Sequence, residues 1–137
     1  MGHFYLTTLL LDKITKSEEG RIVNLSSLAH TMGKMRFHDM GHEKSYDPWI
    51  AYFMSKLANV LFTKHLANML ESQGKKNVKV VSLHPGYVRT DLMQYYMHTW
   101  RKVAFSLIAP LNNVFSKSPW QGTQTQLHCT LCPFNEL

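Results

Sequence analysis

The chain alternates between long lines of apolar residues and short, β-branched runs. From Gly2 to Thr15, Phe4, Leu6, Leu9, Leu10 and Ile14 make a line apolar nearly all round, which predicts a well-buried helix. "KSEEG" breaks it, with Gly20 as the natural stop. "RIVNL" (21–25) reads as a short strand followed by two serines, Ser26 and Ser27. Residues 28–46 have no clear period and contain Gly33 and Gly41; so long a loop in a compact domain is a functional lid or a missed element. Asp47-Pro48 then opens a helix: Asp47 can cap it and Pro48 suits its first position. Phe53, Leu57, Val60, Leu61 and Leu70 supply an apolar face and Gly74 ends it. "VKVVSL" (78–83) is a second strand, cut off by Pro85-Gly86. Further helical pieces are expected near 90–97, near 99–115 with a break at Pro110, and from Ser118-Pro119 onward.

Strand, long helix, strand is a βαβ unit, so the strands should be parallel and joined by a right-handed crossover. That makes the fold α/β, in a single domain of 137 residues. In an open parallel sheet, ligands sit beyond the carboxyl ends of the strands. Ser27 lies just past the first strand, His84-Pro85-Gly86 just past the second, and Tyr52 and Lys56 in the first turns of the crossover helix. Three pieces distant in sequence therefore converge on one edge. Taken singly, each is ordinary: a helix surface pair, a serine turn, a proline–glycine turn. It is their joint placement that points to proton transfer. A free tyrosine, with a pKa of about 10, is a poor base at neutral pH. A neighbouring ammonium favours its phenolate, and a serine hydroxyl can hold a substrate oxygen. That set suits alcohol–carbonyl interconversion, with the hydride drawn from a cofactor.

Composition narrows the alternatives. A 45% hydrophobic and 18% charged chain can bury a core and does not read as disordered. The net charge of +6 favours anionic partners, but Lys and Arg are scattered, and the densest cluster (Lys75, Lys76, Lys79) sits at a helix-to-strand turn; nucleic acid is not expected. Cys129 and Cys132 form a Cys-x-x-Cys pair in or just after the last helix, without the strand-to-helix setting or second pair that a redox or zinc site needs. Free thiols fit a reducing compartment. His38 and His42 have helical metal spacing but no third ligand, so no metal is expected. No secretory signal opens the chain, and Val103–Ile108, the longest apolar run, is too short to span a bilayer.

At these residues the sequence resembles the short-chain dehydrogenase/reductase family, specifically its retinol dehydrogenase-like members. "GRIVNLSSLAH" resembles the strand that carries the family's catalytic serine, "AYFMSKLANVLFTKHLA" its Tyr-x-x-x-Lys helix, "VVSLHPGYVRTDL" its next strand and Pro-Gly loop, and "SPWQGTQTQLHC" a late helix of that branch. The resemblance implies Ser27, Tyr52 and Lys56 as catalytic residues. Ser27 is favoured over Ser26 by spacing, Tyr52 is the acid/base, and Lys56 lowers its pKa and holds the nicotinamide ribose. It implies that Pro85, Gly86 and Val88 border the nicotinamide and that Thr90 bonds the cofactor's amide or phosphates. NADP or NAD is the implied cofactor, NADP being favoured by resemblance alone, with a hydrophobic alcohol or aldehyde as substrate.

The family's Gly-rich phosphate loop, its first strand, its coenzyme-selecting residue and its Asn-Asn-Ala-Gly strand have no counterpart here, and relatives continue into a last strand. The expectation is therefore the C-terminal half of a Rossmann-like doubly wound sheet, a single incomplete domain over 1–137, whose grip on a cofactor is weak or absent when alone. A catalytically inactive product that binds the full-length enzyme is the rival reading. Tyr95–Phe115 is expected to cover substrate, and Trp100-Arg101-Lys102 can meet a membrane surface. A cytoplasmic location, or a peripheral one on the endoplasmic reticulum membrane, follows from the resemblance. The long helices of such folds often pair, which leaves a homodimer open.

Overall fold

A computed structural model describes residues 2–89 and 116–137. The elements run α1 (Gly2–Thr15), β1 (Gly20–Leu25), two 3-10 turns (Leu28–Met32 and Phe37–Asp39), α2 (Pro48–Ser72), β2 (Val78–Leu83), α3 (Pro119–Leu131) and a last 3-10 turn, Phe134–Glu136. The helices expected at 90–97 and 99–115, the substrate cover at Tyr95–Phe115, the Trp100–Lys102 surface and Thr90 lie outside the described residues.

β1 and β2 pair in parallel from Gly20↔Val78 to Leu25↔Leu83, with α2 as the crossover between them. Strand alternation then sorts the side chains. Ile22, Val78 and Val80 turn toward α1 and α2 and form the core with Leu66 and Leu70, flanked by Leu11, Ile14, Phe62 and Met69. Arg21 and Lys79, partners in register, point to the other face and hold the C-terminal end of the chain. Arg21 Nη1 donates to the carbonyls of Thr130 and Cys132 at 2.9 and 2.7 Å, and both cations sit over the Phe134 ring at 5.6 and 5.5 Å. α3 therefore covers the face opposite α2. The result is a three-layer, partial Rossmann-like α/β arrangement.

The ends of α2 form as the sequence leads one to expect. Asp47 Oδ1 accepts from Trp49 N and Ile50 N at 2.8 and 2.9 Å, Pro48 fills the first helical position, and Gly74 leaves the helix at φ 72°. The buried stripe is Met54, Thr63, Leu66 and Leu70, while Leu61 faces solvent at 46% exposure. α1 departs from its expected burial. Phe4, Tyr5, Leu6 and Leu9 are each more than half exposed and only Thr7 is buried. A helix apolar all round needs a neighbour on every side; α1 docks through Leu11 and Ile14 and through Phe4, whose ring meets Phe62 edge-on at 5.4 Å.

The aperiodic stretch after β1 is not a free loop. Its first 3-10 turn lies on α2, so closely that a Cβ on Gly33, which ends that turn, would meet the Phe53 carbonyl oxygen at 2.7 Å. The buried Asp39 carboxylate fixes its far end, Oδ1 accepting from Glu43 N and Lys44 N at 2.8 and 3.4 Å. One contact had no sequence signal: Val88 and Lys117 form a parallel bridge, with Lys117 N donating to Tyr87 O at 2.8 Å and Arg89 N to Lys117 O at 2.9 Å. It carries the start of α3 to the loop after β2. No described helix is long and apolar enough to cross a membrane.

Candidate active site

The two serines at the end of β1 do different work because strand alternation sends them opposite ways. Ser26 is buried, and its Oγ donates to the Lys56 carbonyl at 2.9 Å. Ser27 is extended (φ −154°, ψ 155°) and caps the following 3-10 turn, its Oγ accepting from Ala29 N at 3.2 Å. Its carbonyl takes bonds from His30 N at 3.0 Å and His30 Nδ1 at 2.6 Å. A hydroxyl offers one donor and two acceptor positions, so the cap leaves the Ser27 proton available to a substrate oxygen.

Tyr52 and Lys56 follow from the capped first turn of α2, one helical turn apart on a shared face. The Lys56 Nζ lies 5.6 Å from the centroid of the Tyr52 ring. It also reaches the Leu25 carbonyl at 3.4 Å. Burial lowers the Lys56 pKa from the ordinary lysine value. An ammonium carries three donors; one is directed at Leu25, which leaves others for a ligand.

A polar seam joins β1 to α2 beneath this pair. Asn24 Nδ2 donates to Thr63 Oγ1 at 2.9 Å in a buried position, and Thr63 Oγ1 donates to Asn59 O at 2.8 Å. Asn59 Nδ2 donates to Leu25 O at 3.0 Å, the same carbonyl that Lys56 approaches. With Ser26 on the Lys56 carbonyl, the seam fixes where along β1 the first turns of α2 lie. It thereby sets how Tyr52 and Lys56 stand relative to Ser27.

The loop after β2 closes the third side. Gly86 has φ 90°, a left-handed conformation that favours glycine, and a Cβ there would meet the Lys117 Cε and Nζ at 3.0 Å. Lys117 Nζ donates to Pro85 O at 3.5 Å. The His84 pKa is lowered, first by burial and then by the positive charges of Lys117 and His30.

These pieces line one cavity of about 580 Å³, a volume ordinary for a small-molecule site. Ser27, Tyr52, Lys56, Pro85, Gly86 and Val88 all border it; Leu25, Ser26, Leu28 and Tyr87 add to its walls. The late helix supplies one wall through Pro119, Gly122, Thr123 and Gln126. Sequence reasoning placed none of these four at the site. Gly122 carried the readable signal, since a glycine inside a helix costs about 1 kcal/mol and implies close packing. Here a Cβ would lie 2.5 Å from Val88 Cγ2. His84, Lys117 and Asn59 were likewise not assigned a role. Their parts depend on long-range contacts, such as that of Asn59 with Leu25, 34 residues away in the chain.

The sequence model of the short chain dehydrogenase family matches residues 1–100. The chain belongs to this family. Within it, the similarity runs to retinol dehydrogenases. The chain is 45% identical to retinol dehydrogenase 12 of Bos taurus over 131 residues, covering 96% of this chain and 39% of that protein. It is 46% identical to retinol dehydrogenase 11 of Homo sapiens over 133 residues, covering 96% and 38%. The chain thus spans about two-fifths of the length of the curated relatives it matches. Among solved structures, an uncharacterized protein from Mycobacterium Paratuberculosis superposes with a TM-score of 0.57 at 41% identity, over 66% of this chain and 32% of that one.

Proposed function

We propose that this short-chain dehydrogenase chain supplies the catalytic edge of an NAD(P)-dependent oxidoreductase that interconverts a hydrophobic alcohol and its aldehyde or ketone. One observation carries the reading: Ser27, Tyr52 and Lys56 meet the Pro85–Val88 loop around a single cavity at the carboxyl ends of two parallel strands. The names of the matched relatives support a retinoid-like substrate, and NADP is the favoured coenzyme by the same resemblance.

The donor set fits the nicotinamide end of such a cofactor. The uncommitted Lys56 donors suit ribose hydroxyls, and Pro85, Gly86 and Val88 offer a wall with little polar side-chain surface. Thr90, assigned to the cofactor on resemblance, belongs to the same reading. When bound, the nicotinamide supplies or accepts the hydride, which no side chain can do. The chain's own part is the proton. Ser27 donates its hydroxyl hydrogen to the substrate oxygen and holds it. In reduction, the Tyr52 phenol gives its proton to that oxygen; in oxidation, the phenolate removes it. The Lys56 ammonium stands beside that ring, 5.6 Å from its centroid.

Steady-state reduction of retinal and of shorter aldehydes, with NADPH and NADH, tests this in the native protein. Tyr52→Phe is expected to lower kcat by on the order of 100-fold or more. Full turnover by Tyr52→Phe, or no turnover by the wild type with any of these substrates, would overturn it.

The exposed apolar residues of α1, Phe4, Tyr5, Leu6 and Leu9, favour a second reading. In it the chain is a non-catalytic partner of the full-length enzyme. Tyr52→Phe separates the two, because association through α1 survives the substitution and turnover does not.

A further inference from the structure

Leu25 is the last residue of β1. Gly20 N and Ser26 N donate across to β2, so the Leu25 carbonyl, one residue out of that phase, faces the opposite edge. There it meets two side chains from α2: Asn59 Nδ2 at 3.0 Å and Lys56 Nζ at 3.4 Å. The first distance is that of an ordinary hydrogen bond; the second lies beyond the usual range of about 2.7–3.2 Å. Charge-assisted hydrogen bonds are about twice as strong as neutral ones. An otherwise unoccupied carbonyl would therefore draw the ammonium in and shift it from its present place, 5.6 Å from the centroid of the Tyr52 ring.

We propose that Asn59 is a positioning residue for the Tyr52–Lys56 pair: its amide occupies the Leu25 carbonyl and keeps the Lys56 ammonium turned toward Tyr52. This rests on the oxidoreductase reading above. Asn59 is well placed for the task, since its own backbone is held by Thr63, which Asn24 ties to the strand. The amide is thus aimed by the same seam that sets the position of α2. Without it, Lys56 settles on Leu25, its ammonium leaves its place beside the Tyr52 ring, and turnover slows while the cavity keeps its shape.

The test uses two readouts on the native protein. In steady-state turnover, Asn59→Ala is expected to lower kcat by about ten-fold with KM within about two-fold, and Asn59→Gln, which keeps an amide donor, to recover most of the loss. In competitive labelling of lysines with an acylating reagent, read by mass spectrometry, Lys56 is expected to react more slowly in Asn59→Ala than in wild type. Should Asn59→Ala fail to fold, Asn59→Leu keeps the bulk without a donor or a charge; the same slowing of both readouts is expected. Unchanged labelling of Lys56 overturns the proposal whatever kcat does, and so does unchanged kcat in an enzyme that Tyr52→Phe inactivates. A wild type without turnover, or an active Tyr52→Phe, sinks the oxidoreductase reading instead, and the labelling alone then decides where Asn59 places Lys56.

Discussion

Gly122→Ala is expected to destabilise the protein although alanine is the better helix former. The added Cβ would lie 2.5 Å from Val88 Cγ2, 3.0 Å from Cγ1 and 3.3 Å from Cβ. Val88 cannot easily yield. It is β-branched, with a stiff χ1, and its neighbours Tyr87 and Arg89 are both bonded to the Lys117 backbone. Forcing a methyl group into such a contact costs about 1–3 kcal/mol, and exchanging glycine for alanine within a helix returns about 1 kcal/mol. The net expectation is a loss of about 0–2 kcal/mol. In a Val88→Ala background both Cγ contacts are gone and only the tight 3.3 Å approach to Cβ remains, so Gly122→Ala should stabilise by up to about 1 kcal/mol through helix propensity. The two substitutions are therefore coupled by about 1–3 kcal/mol. Urea unfolding of the four variants, followed by two probes to confirm a single transition, measures that coupling. Additivity within about 0.5 kcal/mol would show that α3 does not pack against the loop after β2 as described, and the α3 wall of the cavity would go with it.

Other consequences are more local. Leu70→Ala, at 1% exposure in the core with Ile22, Leu66 and Val78, should cost about 2–5 kcal/mol, whereas Leu61→Ala on the exposed side of the same helix should cost well under half as much; denaturant midpoints compare them. Asp47→Ala removes the acceptor for Trp49 N and Ile50 N and should cost about 1 kcal/mol, while Asp47→Asn retains most of the stability. Among the described residues, His84 is an acid-sensitive group. Its folded pKa is lowered, so the unfolded chain binds this proton more tightly. The stability it contributes is complete above the unfolded value of 6.5 and is lost as pH falls from there through the folded pKa. Melting temperatures of wild type and His84→Asn between pH 7.5 and 5 should converge toward acid, and parallel curves would refute that assignment.

What the sequence settled was local and periodic. The Asp47-Pro48 start of α2, the Gly74 exit, both strands and the Ser118-Pro119 start of α3 all follow from chemistry that acts within a few residues: caps, fixed φ values and β-branched runs. Even the meeting of Ser27, Tyr52 and Lys56 was legible, because a parallel βαβ unit brings strand ends and the start of its helix to one edge whatever the side chains are. The tertiary structure decided what depends on long-range contact. It gave the Ser26 hydroxyl to the helix backbone and made the Ser27 hydroxyl the cap of a 3-10 turn, with both serines bordering the cavity; it set Asn59 beside Lys56 on a shared carbonyl and brought Gly122 against Val88. It also left α1 largely uncovered, because an apolar helix shows its need for partners in its own sequence but not which neighbours meet that need. Periodicity states how much surface an element must bury, and only packing states against what.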